Sequence, residues 1–176
     1  MTVPEANPYD PELPFFACQR LRPDQIGAQE VVFRQRAKLP CTPTRLFEIF
    51  EDPTSWPRWA PGIGQVIWTS PKPFSVGTTR TVVFWGGARV YEVFDAWEPG
   101  RELSFSFVGT SEEIWSAFGE HYLVTPTVDG CRVDWTVGYV PAGRFARIHP
   151  YIYRLMRWNL GSYMWWLRRY VRAHPG

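Results

Sequence analysis

The sequence predicts an α+β domain: an antiparallel sheet of about six to seven strands, two short helices near its start and one long helix at its end. Three observations predict it. The stretch from His149 to Arg172 repeats apolar residues at helical spacing. Several runs between residues 30 and 140 alternate apolar and polar residues, with Gly-Gly, Pro-Gly and Asp-Gly pairs between them. Two proline-containing segments after the first run have the composition of short helices.

Taken in order, residues 1–28 form a proline-rich leader (Pro4, Pro8, Pro11, Pro14, Pro23), expected to be extended rather than helical or paired, with Phe15 and Phe16 pinning it to the body. Residues 29–176 form a single domain. The first strand runs from Glu30 to Leu39, alternating Val31, Phe33, Gln35, Ala37 and Leu39 against Val32, Arg34, Arg36 and Lys38. Thr42 then caps a short helix that opens on Pro43 and buries Leu46, Phe47 and Phe50. Asp52-Pro53 ends it, and a second helical turn follows from Thr54 to Trp59.

The turns between the later strands predict which residues share a face. Gly86-Gly87 as a two-residue loop sets Thr81, Val83 and Trp85 opposite Glu92, Val90 and Ala88. Pro99-Gly100 sets Glu92 and Phe94 opposite Phe107 and Phe105. Asp129-Gly130 sets Val124, Tyr122 and Glu120 opposite Trp135, Val137 and Tyr139. The other face, expected to be wet, collects Arg80, Arg89, Asp95, Ser104, Ser106 and His121, and then Arg132, Asp134 and Thr136. A bulge would exchange Glu120 for His121 on the covered face.

The last helix is expected to start near Pro150, with Ile148, Ile152, Leu155, Asn159, Tyr163, Trp166 and Tyr170 on its buried line, flanked by Met156, Leu160, Leu167 and Val171. Its opposite arc interleaves arginines with Trp158 and Trp165. That arc suits a lipid headgroup interface or a homodimer contact; alternatively, the tryptophans pack under the leader while the arginines reach outward.

The stretch LPCTPTRLFEIFEDPTSWPRWAPGI, continuing to VGTTRTVVF and EVFDAWEPGRELSF, resembles the START-like (SRPBCC) superfamily and its polyketide cyclase/dehydrase branch. The marks are Pro43, Asp52 before Trp56-Pro57-Arg58-Trp59, Pro61, Val76-Gly77-Thr78 and Trp97-Glu98-Pro99. The resemblance runs from about Glu30 to Val171. It implies a helix-grip fold, in which a curved sheet wraps the long helix around a hydrophobic cavity, and it implies no cofactor. No complete aromatase/cyclase catalytic set maps onto this chain.

A long helix laid across a curved sheet leaves a gap, and apolar gaps with a few polar groups bind small molecules. The expected wall is Trp59, Trp85, Phe94, Phe105, Tyr122, Trp135, Asn159 and Tyr163. A surplus of aromatic residues, 17% of the chain, fits either such a wall or a filled core. Polar residues on the covered face are the sharper signal, because each needs a partner there. Glu92 and Glu120, with a hydroxyl such as Tyr139 or Tyr122, are the candidates for acid–base chemistry; the alternative is that they are structural.

Other chemistry is poorly represented. A net charge of +2 gives no basis for nucleic-acid binding. Cys18, Cys41 and Cys131 lack metal or disulfide spacing, and His121, His149 and His174 lack metal-ligand spacing. Without signal-peptide character at its start or an apolar run long enough to span a bilayer, the chain is expected to be cytoplasmic. The expected function is binding of a hydrophobic aromatic, polyketide or lipid-like molecule, or its cofactor-free cyclisation, dehydration or isomerisation.

Overall fold

The computed structural model of the chain describes residues 5–175, so the leader's Pro4 and the terminal Gly176 lie outside the described residues. The elements are β1 (Phe16–Ala17), α1 (Pro23–Ile26), β2 (Val31–Leu39), α2 (Pro43–Glu51), α3 (Trp56–Trp59) and β3 (Ile63–Trp68). They continue with β4 (Thr79–Phe84), β5 (Arg89–Glu98), β6 (Glu102–Thr110), β7 (Trp115–Thr127), β8 (Gly130–Pro141) and α4 (Gly143–Ala173). Seven strands pair in the order β2-β8-β7-β6-β5-β4-β3, every pairing antiparallel, and β1 joins them off this path. The sheet and its long terminal helix form the helix-grip arrangement.

Local chemistry sets the early elements. Thr42 accepts a hydrogen bond from the Arg45 amide over 3.2 Å, and Pro43 occupies the first turn of α2, where its missing N–H costs nothing. Leu46, Phe47, Ile49 and Phe50 fall on one side of α2 and are buried. The Ser55 hydroxyl and the Trp56 indole then donate to the carbonyls of Ile49 and Phe50, which ties α3 to the end of α2.

The leader differs from the sequence expectation. It is paired, and it contains a helical turn. Beyond Ser106↔Gly119 the pairing of β6 with β7 ends, and β1 takes up the freed edge through Phe16↔Thr110 and Ala17↔Gly109. Backbone groups left open by that separation need partners, and the leader supplies them. α1 then buries Ile26 against Gly119 and Gly138 on the outer face of the sheet. Tyr9 stacks on Tyr91 at 4.7 Å, and Asn7 donates to the Tyr91 hydroxyl over 2.8 Å. The outer face is therefore covered at its centre rather than wet throughout.

Two hairpin registers also differ. Phe84 N donates to Ala88 O, so the β4–β5 loop has three residues, with Trp85 inside it and both Gly86 and Gly87 at φ 93°. The pairs become Arg80↔Glu92, Thr81↔Tyr91 and Val82↔Val90. This slip of one turns Arg80, Val82 and Phe84 inward and sends Thr81, Val83 and Trp85 outward. The β7–β8 turn is Val128-Asp129, with Thr127 paired to Gly130. Its register moves by two, so the faces are kept: Glu120, Tyr122 and Val124 oppose Val137, Trp135 and Val133. Beside the Pro99-Gly100 turn the pairs are Glu98↔Glu102 and Ala96↔Ser104, one off the expected register, and a shift between Phe94 and Ala96 restores the expected Phe94↔Phe105 and Glu92↔Phe107.

α4 begins at Gly143, so Pro150 lies inside it rather than at its first turn. Its buried residues are His149, Met164, Leu167 and Val171. The helix is rotated relative to the expected line, leaving Ile148, Leu155 and Trp166 exposed. Among the described residues no helix is long and apolar enough to cross a membrane.

Candidate functional site

A cavity of about 320 Å³ lies between the inner face of the sheet and α4. Phe105, Phe107, Phe118 and Trp115 line it from the sheet, Trp56 from α3, and Met156 and Leu160 from the long helix. The polar residues lining it are Arg80, Glu92, Glu120 and Asn159, with the hydroxyls of Tyr122, Tyr139 and Tyr163.

Arg80 and Glu92 are direct cross-strand partners and form an ion pair with 1% and 4% of their side-chain surfaces exposed. The Arg80 guanidinium sits 4.2 Å from the Trp56 ring centre, 4.7 Å from Phe105, 5.0 Å from Phe94 and 5.3 Å from Trp68. Aromatic faces are electron-rich and stabilise a cation removed from water. Arg80 Nη1 nevertheless has no hydrogen-bond partner. Burial pushes the Glu92 carboxyl up from its ordinary value, and the Arg80 charge offsets part of that rise.

Glu120 lies two strands further on, in β7. Its Oε2 accepts from the Tyr122 hydroxyl over 2.5 Å and from the Trp135 indole over 2.9 Å. Burial pushes the Glu120 carboxyl to about 7, the bonds from Tyr122 and Trp135 pull it down, and the nearby Glu92 charge adds to the rise. Burial and the Glu120 charge drive Tyr122 well above its usual range. Tyr139 is pushed up to about 12, chiefly by burial, and its hydroxyl lies 3.0 Å from His149 Nε2. Tyr163 donates to Pro61 O over 2.6 Å, which anchors α4 across the end of the cavity. Gln35 donates to the Gly161 carbonyl over 2.9 Å and fastens the helix to β2.

Of the sequence-predicted residues, the cavity brings together Glu92, Glu120, Tyr139, Phe105, Tyr122, Asn159 and Tyr163. His121 is on the opposite face, 2.8 Å from Glu102. Four expected wall residues are elsewhere. Trp85 sits in the β4–β5 loop, 70% exposed, because of the one-residue slip. Trp59 and Phe94 are buried in the core and do not line the cavity. Trp135 touches the site through its bond to Glu120 rather than as wall. Sequence reasoning missed Arg80, Trp56, Trp115, Phe107 and Phe118. The signal for Arg80 was available in Glu92, since a carboxylate on a covered face needs a cation and Arg80 is one residue from its assigned register.

Among the described residues no three His, Cys, Asp or Glu side chains group as metal ligands.

Residues 30–162 match the family described as polyketide cyclase / dehydrase and lipid transport. An uncharacterized protein of Mycobacterium tuberculosis is 39% identical over 159 residues, covering 90% of this chain and 95% of the relative. Among solved structures, a protein from Thermus thermophilus superposes with a TM-score of 0.65 at 17% identity, over 83% of this chain and 100% of its own. The di-domain ARO/CYC StfQ of the steffimycin biosynthetic pathway gives 0.62 at 12% identity, over 83% of this chain and 52% of that one. At these identities the two structural matches speak for the fold alone.

Proposed function

This chain belongs to the polyketide cyclase / dehydrase and lipid transport family, and on that premise we propose that it binds a hydrophobic small molecule, aromatic, polyketide or lipid-like, between its sheet and α4. The observation that carries the reading is the cavity itself: about 320 Å³ of space walled mainly by phenylalanine, tryptophan and aliphatic side chains. Small-molecule sites fall in the range of roughly 300–1,000 Å³ and combine apolar walls with a few placed polar groups. The unpartnered Arg80 Nη1 favours a ligand that also carries an acceptor oxygen. Protein purified from its own host is expected to retain such a molecule through native mass spectrometry. An apolar compound released on denaturation identifies its class. The three free cysteines fit the cytoplasm, the compartment we propose; cell fractionation tests it.

A second reading, a cofactor-free cyclase, dehydratase or isomerase, is favoured by one observation: a carboxyl at about 7 on the cavity wall, available both as base and as acid near neutral pH. Ionised Glu120 would take a proton from a carbon between two carbonyls, the carbanion would attack a third carbonyl of the same molecule, and protonated Glu120 would return the proton to the new alkoxide. If His149 Nε2 carries its proton, it donates to Tyr139 and frees the Tyr139 O–H to polarise a substrate carbonyl. Glu120→Gln is expected to abolish turnover while leaving ligand binding. Unchanged turnover of any substrate found would remove Glu120 from the chemistry.

A further inference from the structure

We propose that the outward face of α4, together with Trp85 of the β4–β5 loop, docks onto an anionic lipid bilayer. α4 has a second apolar stripe, opposite the buried one. Tyr151, Leu155, Trp158 and Trp165 follow one another at helical spacing and are 87%, 65%, 72% and 56% exposed. Trp85 joins Trp158, Trp165 and Trp166 in lining one shallow groove, with Arg58 at its edge. Trp59, whose indole Nε1 is buried without a partner, also lines that groove. A run of large aromatics left in water calls for an apolar cover.

Charge identifies the cover. α4 carries seven arginines and no aspartate or glutamate, and no acidic residue follows Asp134 in the chain. Arg147 and Arg154 flank the stripe, and the Arg169 guanidinium lies 5.8 Å and 5.9 Å from the rings of Trp165 and Trp166. Tryptophan and arginine along one helix face match the interface of an anionic membrane, where indoles enter the headgroup boundary and guanidiniums meet phosphates. A second copy fits less well, since a two-fold contact would set the same arginines against one another with no acid on the helix to receive them. The described part of the leader is engaged elsewhere, since Tyr9 and Phe15 pack with Tyr91 on the outer face of the sheet. Leu155 and Asn159 also line the cavity, so a docked bilayer faces its mouth. That consequence rests on the ligand-binding reading, whereas docking rests on the exterior alone.

The test is co-sedimentation of the full chain with phosphatidylcholine vesicles, with and without one-third phosphatidylglycerol, at low and high salt. Docking predicts tight partition onto the phosphatidylglycerol vesicles, several-fold weaker binding to neutral ones, and release by salt. Trp158→Ala and Trp165→Ala lower partition onto both vesicles several-fold. Arg147→Gln with Arg154→Gln lowers it on anionic vesicles and flattens the salt dependence. All four positions are exposed, so melting temperatures stay near the parent's. A cavity-filling Val82→Phe variant still docks, which separates this proposal from the ligand reading. Absence of salt-sensitive partition overturns the proposal. So does a concentration-dependent dimer in light scattering that Trp158→Ala abolishes in a protein that ignores vesicles, an outcome that assigns the face to a second copy.

Discussion

The Tyr122 hydroxyl donates to Glu120 Oε2 over 2.5 Å, from two residues along the same face of β7. The Trp135 indole reaches the same oxygen from β8. A carboxylate held by two donors would ordinarily titrate low. Burial outweighs them here and leaves Glu120 at about 7.

Glu120 therefore makes stability depend on pH. Its folded value, about 7, lies above the ordinary 4.5, so folded protein holds a proton that unfolded protein releases between those values. Its favourable contribution is whole below pH 4.5 and is lost as pH rises through about 7. The loss is on the order of 3 kcal/mol. Denaturant midpoints measured across this window should fall for the parent, and markedly less for Glu120→Gln. Tyr122→Phe removes a bond that holds the carboxyl down, so the Glu120 titration followed by carbon NMR should move above 7.

The buried pair of Arg80 and Glu92 gives a different signature. Arg80→Met strands a carboxylate in an apolar interior and is expected to cost about 3–5 kcal/mol. Arg80→Met with Glu92→Leu removes both charges, and should be more stable than the single variant in chemical denaturation. A double variant no better than Arg80→Met would show that the aromatic contacts of the guanidinium matter more than its charge partner.

The leader should be sensitive to two glycines in unequal degree. A Cβ at Gly138 would lie 1.9 Å from the Ile26 carbonyl oxygen, a backbone atom that moves only if α1 moves. A Cβ at Gly109 would meet the Phe15 ring at 2.0 Å, and a ring can rotate away. Gly138→Ala is expected to lower stability by more than about 1 kcal/mol and to expose the leader to limited proteolysis, with Gly109→Ala milder. Equal protection in both variants would contradict this account of how the leader is held.

How much of this was legible in the sequence depended on how local the deciding chemistry was. Thr42 and Pro43 announce α2 because a cap and a first-turn proline are local devices. Phe94 meets Phe105 as expected only because a register shift between Phe94 and Ala96 offsets the three-residue turn Pro99-Gly100-Arg101, and that shift has no mark in the sequence. The β4 register was not legible, because Val82 and Phe84 on one face and Val83 and Trp85 on the other are equally apolar, and the choice between loops of two and three residues decides which face turns inward. The rotation of α4 was hidden because bulky aromatics occur almost all round it, so periodicity alone does not say which stripe meets the sheet. Pairing of the leader depends on where β7 parts from β6, a contact far away in the chain.

The most direct test of the central claim is native mass spectrometry of protein purified from its own host, before and after denaturing extraction, beside the cavity-filling variants Val82→Phe and Leu160→Phe. The account predicts a near-stoichiometric apolar molecule with at least one oxygen acceptor on the parent, and its loss from whichever variant folds with parental stability. A cavity-filled variant that folds and retains the same molecule at the same occupancy would contradict the cavity as the binding site.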